Sequence, residues 1–227
     1  MSTTLTKDHV NTQNQPELTS SSDGEDSAIA RQTQRSLAKE ERRRALLAAA
    51  ANLFASKGYS RVSLEDLGAA VGISGPAVYR HFPGKQSVLD EVLLTVSRGL
   101  LSGGSLVAAR SVDPRATLTE LVHFHVDFAL SNVDVIRVQD RDLDNVSPQC
   151  RSEVRSLQRQ YVELWVEQLG AIHSSDSVAE LRLRAHATFG LINSTPHSLR
   201  GQGTSVARKT AAGILEELAL AALTAGA

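Results

Sequence analysis

The chain has 227 residues, 41% of them hydrophobic and 22% charged, with a formal net charge of −1 and one cysteine. That balance is too apolar for a chain disordered throughout, and the length suits one large or two modest domains of roughly 100–200 residues each. A lone Cys150 excludes an internal disulfide and a cysteine-rich zinc site, no run of about 18 apolar residues is present to span a membrane, and the polar N-terminus lacks the basic-then-apolar pattern of a signal segment; the expectation is a soluble, cytoplasmic protein.

The net charge is an average over three unlike segments. Residues 1–30 carry one Lys and five carboxylates, residues 31–101 eleven Lys or Arg against six carboxylates, and residues 102–227 twelve against fourteen, giving −4, +5 and −2. The basic block is the segment toward which a nucleic acid would be drawn.

In chain order, residues 1–36 are polar, show no apolar period, and read as a disordered tail. From there apolar positions recur at three- and four-residue spacing nearly to the end, and strand-like alternation is scarce. The first helix is predicted over 37–57, with Leu46, Ala49, Leu53 and Phe54 on one face and Gly58 as its stop. A short second helix, 63–71, starts on Ser63, whose spacing to Asp66 suits an N-cap, and ends at Gly72. A third begins at Ser74 with Pro76 in its first turn, where the missing N–H costs nothing. It carries residues 77–82 and stops at Pro83-Gly84. Two short helices joined by a turn containing Gly form the helix-turn-helix layout. A fourth helix opens at Gly84-Lys85 and fades near Ser102-Gly103-Gly104. Five more follow: from Asp113-Pro114 through Ala129, 134–142, 147–172 opening on Ser147-Pro148, 176–191 with Pro196 as a break beyond it, and 206–223. The fold class is all-α, with about nine helices.

Residues 48–59, 62–74 and 78–85 resemble, in order, the first helix, the second helix with its turn, and the recognition helix with its exit in TetR-family regulators. The resemblance implies a helix-turn-helix DNA-binding domain over 37–101, including the start of helix four, and a helical effector-binding and dimerisation domain over 102–227. A helix-turn-helix lays its second helix in the major groove with its N-terminal residues at base edges. Here those are Ser74, Gly75, Pro76 and Ala77, too small for a bidentate contact, although Pro76 or Ala77 suits a thymine methyl. The family often has a Lys-Gly pair where this chain has Gly75-Pro76, which leaves Arg80 as the candidate for bidentate guanine recognition. Tyr79, His81 and Lys85 are the phosphate contacts the resemblance supports. Ser63 at a helix N-terminus adds an amide, and Arg42, Arg43 and Arg44 suit flanking phosphates.

For the second half, the resemblance implies a homodimer through helices eight and nine, double-stranded DNA with a palindromic operator whose half-sites lie about 34–36 Å apart or a multiple of that, and a small-molecule effector among helices four to eight. Candidate effector contacts are residues unusual for a plain core: His125 and Phe128 on helix five, Arg137 and Arg141 on helix six, Trp165 on helix seven, and Asn193 and His197 near Pro196. Arg137 or Arg141 suits a carboxylate or phosphate, an acyl-CoA being one such ligand, unless it pairs with Asp134, Asp140 or Asp144. His123 and Asp127 share a helix face but lack two further ligands, so no metal is expected, and no cofactor is called for. No Gly-rich phosphate loop or nucleophile elbow speaks for an enzyme. The expected function is a ligand-responsive repressor released from its operator by an effector; the alternatives are a constitutive DNA-binding module without effector, and an activator.

Overall fold

The computed structural model describes residues 22–194 and 207–226, with side chains for 33–194 and 207–226. Among these residues every regular element is helical: α1 (Ser22–Lys57), α2 (Leu64–Ala70), α3 (Gly75–Val78), α4 (Lys85–Ala108), α5 (Pro114–Ser131), α6 (Val133–Asp142), α7 (Pro148–Ile172), α8 (Val178–Ile192) and α9 (Arg208–Thr224), with short 3-10 turns at Tyr59–Arg61 and Leu143–Asn145. The break expected at Pro196, and His197 with it, lie outside the described residues. None of these helices is long and apolar enough to cross a membrane. The chain forms two compact units, one ending at Arg42 and one beginning at Arg43.

The capping chemistry sets most boundaries of the second unit. Ser63 accepts from the Asp66 amide at 3.1 Å while the Asp66 carboxylate accepts from the Ser63 amide at 2.8 Å, closing a capping box on α2. These hydrogen bonds from Ser63 hold the Asp66 carboxyl below its ordinary range. Asp113 and Ser147 cap α5 and α7, each followed by Pro in the first turn, and Ser177 with Glu180 closes a second capping box on α8.

Three boundaries differ from the sequence reading: the third helix, expected to carry residues 77–82, closes at Val78 and continues only as a turn in which His81 donates to the Val78 carbonyl at 2.8 Å, and two more involve α1 and α4. First, α1 starts at Ser22, inside the segment read as a disordered 1–36 tail. Residues 33–42 are all exposed, so no buried stripe announces this stretch. It is rich in Ala, Arg, Gln, Lys and Glu, which are good helix formers, and extending an existing helix adds one hydrogen bond per residue fixed. Second, α4 runs on to Ala108 straight through Gly103 and Gly104. These glycines do not end the helix; they let two rings rest on its backbone. A Cβ at Gly103 would run into the Phe124 ring, and one at Gly104 would stand 2.5 Å from the Tyr161 ring.

Two hydrophobic cores result. The first gathers Leu46, Phe54, Leu67, Phe82 and Leu89 from α1 to α4, and it also takes in Val135 and Val138 of α6 and Cys150 and Val154 of α7. The second joins α5, α7, α8 and α9 around Leu121, Trp165, Leu169 and Ile192. The first three helices therefore do not have a core of their own. They share one with α6 and α7.

Candidate functional site

The α2–turn–α3 segment is held by a close backbone approach. Gly72 takes φ 70°, in the left-handed region, and Ile73 returns its amide to the Gly68 carbonyl at 2.9 Å. A Cβ on Gly68 would stand 2.7 Å from the Ile73 carbonyl oxygen, so only glycine lets the turn close on α2. Val78 and Phe82 are buried and fix the orientation of α3, whereas Ser74, Pro76, Tyr79 and Arg80 are exposed. Ser63, Tyr79 and Lys85 border one surface concavity, together with Arg61. Lys85 donates to the Tyr59 carbonyl at 2.9 Å and lies 4.4 Å above the Tyr59 ring. An ammonium has three donors, so this tie leaves capacity for a phosphate oxygen.

The second site is a cavity of about 240 Å³ enclosed by α4, α5, α6, α7 and α8. His125 of α5 is 2% exposed and forms one wall. Its Nδ1 lies 3.2 Å from the Tyr161 hydroxyl and its Nε2 3.2 Å from Asn193 Oδ1. Phe128, Tyr161, Trp165 and Phe189 surround it, the Phe189 ring at 4.8 Å and the others at 5.7–5.9 Å between centroids. Burial pushes the His125 imidazole down to about 4, so it is neutral at physiological pH; burial also raises the Tyr161 phenol above its ordinary value. The Trp165 indole N–H is buried beside the Tyr161 hydroxyl, and this contact lowers the Tyr161 phenol against the larger effect of burial. Ile136, Gln139 and Asp140 of α6 complete the lining, with Val96, Ser97 and Leu100 of α4.

The family model described as bacterial regulatory proteins, tetR family, matches residues 46–92, and one described as tetracyclin repressor-like, C-terminal domain, matches residues 111–222. The chain belongs to the TetR family. Its similarity to the HTH-type transcriptional repressor KstR2 of Rhodococcus jostii is 32% identity over 59% of this chain and 66% of that one, so the matched stretch spans about two-thirds of the relative's length. Among solved structures, a TetR-family regulator from Bordetella parapertussis superposes with TM-score 0.69 at 24% identity, covering 78% of this chain and 93% of that one. The regulator FadR of Bacillus subtilis, solved in complex with stearoyl-CoA, superposes with TM-score 0.64 at 13% identity, covering 81% and 98%. At these identities the two structures speak for the TetR fold.

Within this TetR fold the residues singled out from sequence take up different positions. Arg42 and Arg44 are exposed on α1. Arg43 is turned to internal duty: it donates to the His81 carbonyl at 3.2 Å, pairs with Glu91 at 3.1 Å and lies 4.6 Å above the Phe82 ring, an engagement that favours holding α1 against α3 and α4 over reaching a flanking phosphate. Gly75 and Ala77 are half-buried at the start of α3. His125, Phe128 and Asn193 line the cavity, and Trp165 stands behind its rings. Arg137 and Arg141 are not among the lining residues. Arg141 instead bonds Asp142 at 2.7 Å, the Ala55 carbonyl at 3.4 Å and the Phe54 carbonyl. It thus caps the C-terminal end of α1, where a cation is favoured, and its carboxylate partner is Asp142 rather than the Asp134, Asp140 or Asp144 weighed from sequence. Among the described residues no cluster of three or more His, Cys, Asp or Glu is placed to hold a metal.

Sequence reading left out Arg61 at the helix-turn-helix, and Tyr161, His186 and Phe189 in the cavity. The signal for the rings was present as helical spacing: Tyr161 lies four residues before Trp165, and Phe189 four before Asn193. Gly103-Gly104 was a second signal, since paired glycines inside a helix mark a close neighbour as readily as a stop.

Proposed function

We propose that this chain is a ligand-responsive repressor. A homodimer joined through α8 and α9 binds a palindromic operator with Ser63, Tyr79 and Lys85 on the phosphate backbone and the α3 N-terminus with Arg80 at the base edges. A small organic effector in the α4–α8 cavity then releases it. The observation that carries this reading is the double role of α6: Ile136, Gln139 and Asp140 line the cavity, while Val135 and Val138 of the same helix belong to the core of α1–α4. An occupant that displaces α6 acts directly on the packing of the DNA-binding helices, and it does so only through unequal affinity for the two arrangements.

Repression over activation is supported by the longer match: 32% identity to the KstR2 repressor over 59% of this chain, against the same identity to the transcriptional activator FasR of Mycolicibacterium smegmatis over 40%. A constitutive module would have no use for a cavity lined by rings. An acyl-CoA effector, which rested on Arg137 or Arg141, finds neither in the lining. The test is binding-site selection from random DNA with the purified chain, followed by a reporter driven from the selected site. A palindrome whose placement over a promoter silences it supports the reading; selection of no symmetric site, or activation of the reporter, overturns it.

A further inference from the structure

The cavity's lining determines what kind of molecule it accepts. Resting on its reading as an effector site, we infer that its ligand is a compact, uncharged ring compound bearing a hydroxyl group, a phenol or cyclic alcohol, rather than a fatty acyl thioester or any carboxylate.

Size is the first ground. About 240 Å³ lies below the roughly 300–1,000 Å³ of sites for drug-sized ligands. Shape is the second: Phe128, Tyr161 and Phe189 present ring faces and edges, with Tyr161 and Phe189 stacked at 5.7 Å, and a flat ring gains from such partners. Charge is the third. Among the described residues of the lining no Lys or Arg appears, and Asp140 and His186 are exposed, toward solvent. A carboxylate carried inside would meet only neutral groups, Ser97, Gln139, Gln158, Tyr161, Asn193 and the imidazole of His125, and burying a charge with no cation to pair it costs more than neutral hydrogen bonds return.

The hydroxyl follows from proton accounting along Tyr161–His125–Asn193. A neutral imidazole has one N–H and one bare nitrogen. If Nε2 carries the hydrogen it donates to Asn193 Oδ1, and the Tyr161 hydroxyl donates to Nδ1; the Tyr161 oxygen is then left as an acceptor and the Asn193 amide nitrogen as a donor. If Nδ1 carries the hydrogen it donates to Tyr161, whose own O–H is released as a donor; with its amide turned over, Asn193 donates to Nε2 and keeps its oxygen as an acceptor. In both cases the two ends of the chain offer one donor and one acceptor. A ligand hydroxyl satisfies either end, whereas a ketone, ether or carboxylate satisfies only the donor.

Calorimetry on the full chain at neutral pH tests this with four probes of one skeleton, 4-tert-butylphenol, 4-tert-butylanisole, 4-tert-butylbenzoate and 4-tert-butylbenzylammonium, and with stearoyl-CoA. The phenol is expected to bind, the ether about tenfold more weakly for the lost hydrogen bond, and the three charged probes at least about a hundredfold more weakly. In Tyr161→Phe the phenol is expected to lose about tenfold; the ether loses nothing where Tyr161 is the acceptor and about as much where its O–H is the donor, and a phenol that loses nothing overturns the role of Tyr161 as partner. Binding of the benzoate, the ammonium or stearoyl-CoA as tight as the phenol, or no binding of the phenol at all, overturns the inference. The effector reading is scored separately on the selected operator: a phenol that binds without releasing DNA defeats that reading and leaves the ligand class standing, and release by stearoyl-CoA alone does the reverse.

Discussion

His125 has its ordinary proton affinity suppressed by the rings around it, and this gives the fold a pH dependence. The imidazole titrates at about 4 in the folded chain against the usual 6.5, so between these values the unfolded chain binds a proton that the native one refuses. Stability is therefore expected to be unaffected by this group above about pH 6.5 and to fall as pH drops toward 4, by roughly 3 kcal/mol in all. Urea midpoints measured across that range should show the decline, and His125→Asn should remove most of it; an unchanged slope in the variant would assign the effect to other groups. Gly68 is the corresponding residue in the DNA-binding half. With a Cβ placed 2.7 Å from a backbone oxygen, Gly68→Ala is expected to lower stability by about 1–3 kcal/mol, read by thermal or urea unfolding, because a carbonyl fixed in the turn cannot swing away as a side chain would. Both positions show where single residues stop being readable from sequence. Gly68 looks like any helical glycine until Ile73 folds back on it, and His125 looks no different from His123, the other histidine of α5, until α7 and α8 supply its partners.

At the scale of elements, helix starts were more legible than helix ends. Ser63, Asp113, Ser147 and Ser177 are short-range devices whose chemistry is complete within a few residues, and the structure uses the first three as the sequence spacing suggested. The start of α1 and the end of α4 depend on what lies elsewhere, propagation from the buried part of α1 in one case and the rings of α5 and α7 in the other. The element with most consequence is α6, ten residues long. One side contributes to the core of α1–α4, another lines the cavity, Arg141 caps α1, and Asp134 accepts from Asn52 at 3.0 Å. Replacing Arg141 by Met should leave ligand affinity within a few-fold of the native value while reducing the factor by which ligand weakens operator binding, a coupling typically about 5–150-fold. Operator titrations with and without saturating ligand measure that factor; a factor unchanged by the substitution would remove Arg141 from the path.

At the scale of the molecule, α8 and α9 leave Leu183, Ile214 and Leu218 about half or more exposed, and Leu183, Ala187, Leu191 and Ala222 line one shallow cleft between the two helices. A face so apolar suits a second copy. Leu218→Glu is expected to shift sedimentation from dimer to monomer. It should also halve the salt slope of DNA binding, near −7 for about eight phosphates contacted by a dimer. A slope near zero in the unaltered protein would contradict DNA binding through its basic helices. The sum charge of −1 concealed the +5 of residues 31–101, on which that slope depends. The chain's one tryptophan is Trp165, packed edge-on against Phe189 at 4.9 Å and against His125 at 5.9 Å. The protein therefore carries its own optical reporter directly behind the rings that line the cavity. Its emission needs no label to register a change in the rings around it, and exciting it at wavelengths beyond the absorption of the three tyrosines turns a fluorimeter into an instrument for finding a molecule that enters the cavity.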